Sequence, residues 1–200
     1  MNDHYYSEKP TVESDRKTWE FELKGYNFTF QSDKGVFSKN EVDFGSRILI
    51  ENFIPPTIDG DFLDVGCGYG PIGLSLAKHF DRHVDMIDVN ERAVELAKDN
   101  AVKNSINNVT IFQSNLFSNI DEKRQYAAII TNPPIRAGKK VVHAIFETSY
   151  HHLVNDGELW IVIQKKQGAP SAIDKLKELY SEVEVVDKKK GYFIIKAKKS

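Results

Sequence analysis

The 200-residue sequence contains one cysteine, two methionines and two tryptophans. The lone Cys67 excludes an internal disulfide and fits a reducing compartment. No apolar run approaches the roughly 20 residues a membrane-spanning helix needs. The opening Met1-Asn2-Asp3-His4 is too polar for a secretory leader, so a cytoplasmic protein is expected. Neither sign of charge dominates. With 27 Lys and Arg against 29 Asp and Glu, the net charge is −2, which removes any global electrostatic case for nucleic acid. A metal-ligand set is missing as well. His79 and His83 have i,i+4 spacing, but Asp81 ends the helix between them and no third ligand accompanies them. There is no internal repeat, low-complexity tract or linker.

The charge that is present is unevenly spread. From Lys165 to Ser200 there are ten lysines against five acids (Asp174, Glu178, Glu182, Glu184, Asp187). Such a basic edge could meet RNA phosphates, although Lys188-Lys189-Lys190 alone reads as a solvated surface. A spacing of four places Asp43 and Arg47 for a helix ion pair.

Hydrophobic periodicity predicts an α/β chain. Thr18 to Leu23 and Tyr26 to Phe30 alternate apolar with polar across a Lys24-Gly25 turn, the pattern of a hairpin. A helix follows from Asn40 or Glu41 to about Phe53 and ends ahead of Pro55-Pro56. Strands are then expected at 62–65, 84–88, 109–112, 127–131, 158–164, 183–186 and 192–197. Helices are expected at 71–80, 91–104, 139–153 and 171–180. Asp156-Gly157 reads as the turn before the fifth of these strands. The alternation implies a Rossmann-like, doubly wound, mostly parallel seven-stranded sheet with an antiparallel last strand. We read one domain over 1–200, with a hairpin extension over 1–34 and a cofactor-binding and catalytic core over 35–200.

On such sheets ligands bind beyond the carboxyl ends of the strands. Asp64-Val65-Gly66-Cys67-Gly68-Tyr69-Gly70 stands at one such end. Gly66, Gly68 and Gly70 allow a tight turn and close approach of backbone amides to a ligand. Asp64 can hold an ammonium, such as that of a methionine moiety, directly or through water; beside a pyrophosphate it would be repulsive. Asp88 ends the next strand, 22 residues after Gly66, where an acid accepts ribose hydroxyls. Asn115 ends the third strand and could read an adenine edge, with Leu116 and Phe117 near the ring. Cys67 has no base beside it in sequence to make it a nucleophile. These features point to S-adenosylmethionine.

Asn132-Pro133-Pro134 closes the apolar strand Ala127 to Thr131. Two prolines make a stiff corner. The Asn132 side-chain oxygen and the Pro133 carbonyl could accept both hydrogens of a planar –NH2 and aim its lone pair at a methyl carbon. No strong base is needed before attack.

The run Asp64 to Gly73 with Asn132-Pro133-Pro134 resembles the class I methyltransferases that modify exocyclic or amide nitrogens. Gly35-Val36-Phe37-Ser38 followed by Val42-Asp43-Phe44-Gly45-Ser46 narrows the resemblance, over about residues 19 to 200. It is similar to the catalytic domain of the 16S ribosomal RNA guanine-N2 methyltransferases, the ribosomal small-subunit methyltransferase C type. That resemblance implies methyl transfer to a guanine amino group. It also implies ribosomal RNA or the small ribosomal subunit as partner, and Phe37 over the cofactor. Where many relatives have an aromatic after the prolines, this chain has Ile135 and Arg136, which could pack on a base and meet a phosphate. The extra N-terminal domain of longer relatives is not in this chain. Two other functions fit the motifs: a release-factor-type glutamine-amide methyltransferase, and a non-catalytic cofactor-binding module in ribosome assembly.

Overall fold

The computed structural model describes residues 7–36 and 41–200. β1 (Lys17–Leu23) and β2 (Tyr26–Ser32) pair antiparallel, with Leu23 opposite Tyr26. Lys24 (φ 49°) and Gly25 (φ 82°) form the two-residue turn, left-handed at both positions as such a hairpin requires. A seven-stranded sheet follows in the order β5-β4-β3-β6-β7-β9-β8. Its strands are β3 (Phe62–Val65), β4 (Val84–Asp88), β5 (Val109–Gln113), β6 (Tyr126–Thr131), β7 (Leu153–Gln164), β8 (Glu182–Lys189) and β9 (Tyr192–Lys198). β3 to β7 run parallel, and β9 is antiparallel to both β7 and β8. The last strand in the chain therefore lies inside the sheet, not at its edge.

The helices are α1 (Phe44–Asn52), α2 (Pro71–Phe80), α3 (Glu91–Lys103), α4 (Lys139–His152) and α5 (Ala169–Leu179). One apolar core gathers Ile48, Leu74, Val94 and Phe30, so α1, α2, α3 and the hairpin cover one sheet face. The other gathers Ile145, Phe146, Leu176 and Ile161, so α4 and α5 cover the opposite face. β3 and β6 read as continuous apolar runs because they are buried on both sides.

Two sequence expectations are corrected. The first helix begins at Phe44, because Asp43 is its N-cap: the carboxylate accepts the Ser46 N–H at 3.0 Å and the backbone is extended there (ψ 150°). Asp156-Gly157 does not separate two elements. β7 runs through it, and the register jumps from Tyr126↔Leu153 to Ala128↔Glu158 with Asp156 at φ 65°, so the turn residues form an irregularity inside one strand.

The hairpin is fastened by two asparagines, Asn100 within α3 and Asn104 at its C-cap. Asn100 and Asn104 stand four residues apart, about 6 Å along a helix. Thr29 and Gln31 stand two apart, about 6.8 Å along a strand. The spacings match. The Gln31 and Thr29 N–H groups donate to Asn100 Oδ1 and Asn104 Oδ1, both at 2.8 Å. The two Nδ2 groups return bonds to the Gln31 and Thr29 carbonyls, both at 2.9 Å. The helix thus imitates a neighbouring strand. Asn100 Nδ2 also reaches the Tyr69 carbonyl at 2.8 Å, joining hairpin to glycine loop.

Asn100→Ala removes the acceptor of the Gln31 N–H and one donor each from the Gln31 and Tyr69 carbonyls. It should destabilise the protein by about 2–4 kcal/mol, read as a lower urea midpoint at unchanged slope.

Candidate functional site

The parallel strands end along one edge, and between β3 and β6 the chain turns to opposite sides of the sheet. A cavity of about 320 Å3 opens there. Gly66, Gly68, Asp88, Ser114 and Leu116 line one part; Asp43, Ser46, Asn132 to Arg136 and Tyr192 line another.

The glycine loop is held by its own backbone. Gly66 N and Cys67 N both donate to the Ile87 carbonyl at 2.9 Å, and Gly68 N donates to Asp88 Oδ2 at 2.8 Å. Gly66 and Gly68 have φ of 73° and 57°, and a Cβ built on either would meet nothing within 4 Å. Both face the open cavity, a cradle that side chains would fill and a ligand can occupy instead. Gly70 plays a different part. It is outside the cavity, and a Cβ there would come within 2.8 Å of Leu74, so it lets α2 start close beneath the loop.

Asp88 lines the cavity and accepts Asn90 N at 2.8 Å as well as Gly68 N. Burial pushes its carboxyl up to about 6, against the pull of those two N–H groups. Asp64 is fully buried and does not line the cavity. One oxygen accepts Gly73 N at 2.9 Å, while Oδ1 has no partner among the described residues. Burial pushes Asp64 up to about 7, eased by the Gly73 N–H and aggravated by the charge of Asp88. The Cys67 thiol is buried and pushed well above its usual value by burial and by both aspartates, so it is a protonated packing group.

Asn115 is exposed and off the cavity, with its carbonyl taking Ser118 N at 3.1 Å. Its neighbours Ser114 and Leu116 face inward. Ser114 N bonds the Asp88 carbonyl at 2.9 Å, and Leu116 sits at φ 50°. Phe37 falls outside the described residues.

On the other side, Thr131 Oγ donates to the Val65 carbonyl at 2.8 Å, tying the end of β6 to the end of β3. Asn132 follows. Its Nδ2 donates to Ser46 Oγ at 3.0 Å and to Asp43 Oδ2 at 3.2 Å. Pro133 and Pro134 are buried, Ile135 is half-buried and Arg136 exposed, all four at the cavity. The Pro133 carbonyl does not project freely as expected from the sequence. It accepts Ile135 N at 2.9 Å in a tight turn centred on Pro134 (φ −75°, ψ 80°), which leaves one lone pair for a ligand.

Three residues at the site were missed in the sequence. Asp43 is not in an ion pair with Arg47, whose guanidinium lies over the Phe44 ring at 5.1 Å; Asp43 caps α1 and, with Ser46, holds Asn132. An Asp three residues before a Ser at a helix start is a capping pattern that could have drawn attention to both. Tyr192 carried no local signal. It reaches the cavity because β9 inserts against β7, opposite Gln164. Among the described residues no group of three His, Cys, Asp or Glu could hold a metal, and no helix is long and apolar enough to cross a membrane.

A glycine cradle at the switch point, an acid after the second core strand and an Asn-Pro-Pro corner on this sheet define a class I methyltransferase, whose methyl donor is S-adenosylmethionine. The chain belongs to the methyltransferase small domain family, whose model matches residues 27–196. It is 68% identical over 200 residues, the whole of both chains, to the Bacillus subtilis (strain 168) protein named Uncharacterized protein YbxB. It is 36% identical over 154 residues to Ribosomal RNA small subunit methyltransferase C of Psychromonas ingrahamii, covering 74% of this chain and 43% of that one. Among solved structures, T. thermophilus 16S rRNA N2 G1207 methyltransferase in complex with AdoMet and guanosine superposes with a TM-score of 0.85. That match has 22% identity and covers 96% of this chain and 52% of the other. The chain spans about half the length of the methyltransferase C relatives it matches.

Asp88 can accept ligand hydrogen bonds at full strength only when ionised. S-adenosylmethionine affinity measured by calorimetry should therefore fall as pH drops below about 6, and Asp88→Asn should flatten that dependence. Asp88→Ala should cost about 1.5–3 kcal/mol of binding at pH 8. Without ligand the sign is opposite. Both folded values, about 6 and about 7, lie above the usual 3.8, so the folded state holds more protons and stability is lost as pH rises through that window.

Proposed function

We propose that the protein transfers the methyl group of S-adenosylmethionine to the exocyclic N2 amine of a guanine in 16S ribosomal RNA. One observation carries the reading. Both hydrogens of Asn132 Nδ2 are taken by Asp43 and Ser46, and no described donor reaches Oδ1, which leaves an acceptor at the cavity. A planar –NH2 can donate one hydrogen to that oxygen and the other to the remaining lone pair of the Pro133 carbonyl. The nitrogen lone pair is drawn out of conjugation with the ring and turned toward the methyl carbon. With S-adenosylmethionine bound, the amine nitrogen would attack the methyl carbon as the carbon–sulfur bond broke, and the extra proton would leave to solvent. Positioning and preorganised dipoles supply the catalysis, with no strong base at the amine.

A glutamine side-chain amide would satisfy the same acceptors. The distribution of charge favours RNA. Arg136, Lys139, Lys140, Lys165, Lys166, Lys188, Lys189 and Lys190 are all exposed, on the segments that follow β6 and β7 or at the end of β8 and the turn after it. Lys165 N bonds the Gly191 carbonyl at 2.9 Å, so that turn meets the end of β7 at the cavity edge. None of the eight is in an ion pair with a described residue. Other lysines of this half are neutralised: Lys175 by Glu147, Lys196 by Glu184 and Lys198 by Asp156. Lys139 and Lys140 open α4, with no acid in its first turn, on the helix end where the backbone dipole disfavours cations. Cations outside ion pairs, two of them at an unfavourable helix end, suit a polyanion. The relatives named as small-subunit methyltransferases point the same way, and their substrate makes a cytoplasmic site of action the natural one.

Asn132→Ala should lower single-turnover methyl transfer to 16S rRNA or small subunits lacking the modification by about 100-fold or more. S-adenosylmethionine affinity should change far less. Turnover near that of the native protein would reduce Asn132-Pro133-Pro134 to a simple corner. Digestion of the product and mass spectrometry of its nucleosides identifies the methylated atom.

Replacing Lys165, Lys166, Lys189 and Lys190 with Ala should weaken RNA binding and make its salt dependence shallower, by roughly 0.7 in the log–log slope for each phosphate no longer neutralised. Cofactor affinity should be unchanged. An unaltered slope would move the RNA to another face.

A further inference from the structure

We infer that Asp43 and Ser46 are positioning residues for methyl transfer: together they set which way round the Asn132 amide stands. The inference rests on the amine-methylating reading above. An asparagine amide has an acceptor end and a donor end of nearly the same shape, and a half-turn of the terminal torsion exchanges them. Only one of the two arrangements can catalyse. With Oδ1 toward the target, the amide accepts an amine hydrogen. With Nδ2 there, two donors face each other and the amine is repelled.

The surroundings of Nδ2 decide between the two. Asp43 Oδ2 lies 3.2 Å and Ser46 Oγ 3.0 Å from it. An ionised carboxylate only accepts, so a flipped amide would set oxygen against oxygen at Asp43. Both N–H bonds of Nδ2 are used, and the only polar atom of the side chain left over is Oδ1. Asp43 is itself held. The same Oδ2 takes Ser46 N at 3.0 Å, and the Asp43 carbonyl takes Arg47 N at 3.0 Å, so the carboxylate is locked into the first turn of α1. That turn cannot drift, because Gly45 packs on Tyr192: a Cβ at Gly45 would meet its ring at 2.9 Å. A helix cap needs only one backbone N–H. The convergence of a carboxylate and a hydroxyl on one amide nitrogen, 89 and 86 residues away in the chain, is additional to capping.

The test is a double-mutant cycle. Asp43→Asn keeps the cap and the volume but can donate as well as accept, so it no longer forbids the flipped amide. With saturating cofactor and in vitro transcribed 16S rRNA or unmodified small subunits, the rate constant should fall about tenfold to a hundredfold. Cofactor affinity should stay within about twofold, because the amide's orientation acts on the amine, not the cofactor. Ser46→Ala should cause a smaller loss. In an Asn132→Ala background Asp43→Asn should cost nothing further. A purely structural role for Asp43 predicts the same loss in both backgrounds, and that result, or no loss in the native background, overturns the inference. Near-native turnover of Asn132→Ala instead overturns the functional reading. A measurement that needs no substrate stands beside the cycle. The Asn132 side-chain N–H pair, assigned by its disappearance in Asn132→Ala, should exchange slowly with water in the native protein. It should exchange like a free amide in Asp43→Asn and, where that variant does not fold, faster in Ser46→Ala. Fast exchange in the native protein counts against it.

Discussion

The carboxylate of Asp88 holds the ends of two neighbouring strands in one arrangement. One oxygen takes the N–H of Gly68 from the loop after β3, and the other takes the N–H of Asn90 after β4. Burial works against the charge, and the two donors keep it usable. From this point contacts run outward. Asn90 caps α3 through Ala93 N at 3.2 Å and donates to the Gly35 carbonyl at 2.9 Å. The helix so placed presents Asn100 and Asn104 to β2, and Asn100 returns to Tyr69 in the glycine loop. The hairpin is thus connected to the cofactor cleft through side-chain amides, and the segment at residues 33–36 hangs between them.

The Asn-Pro-Pro corner works by different means. Among the described residues it has no activated nucleophile, since Cys67 is held protonated by burial. What it has is rigid dipoles. Thr131 ties β6 to β3, two buried prolines remove backbone freedom, and the Asn132 amide is pinned on its donor side. In the proposed reaction the amine becomes acidic once methylated, so orientation and exclusion of wrong hydrogen bonds are what the site would supply.

Much of this was legible in the sequence. Buried parallel strands are apolar runs, the helices between them carry 3.6-residue periodicity, and both motifs stand at strand ends, so the sheet, the cleft and the residues Gly66, Gly68, Asp88 and Asn132 could be read locally. The reach of Asp43 to Asn132, the place of Tyr192 and the strand-like use of Asn100 and Asn104 could not. Each acts on a partner tens of residues away, and a polar side chain in sequence looks the same whether it faces water or a distant amide. Asn115 illustrates the same limit within one turn: Ser114 and the left-handed Leu116 line the cavity, and Asn115 between them does not.

The sequence by itself determined the order of elements, the glycine turn and the Asn-Pro-Pro corner, because propensity, periodicity and proline geometry are local. Tertiary structure alone decided that β9 lies between β7 and β8 and that Asp156-Gly157 is absorbed into a strand. It also decided that an N-cap aspartate bonds the asparagine at the cleft. Those outcomes depend on register and on hydrogen bonds closed across the fold, where the energy of an interaction is set by which partners the packing brings within about 3 Å, not by the residues beside it in the chain.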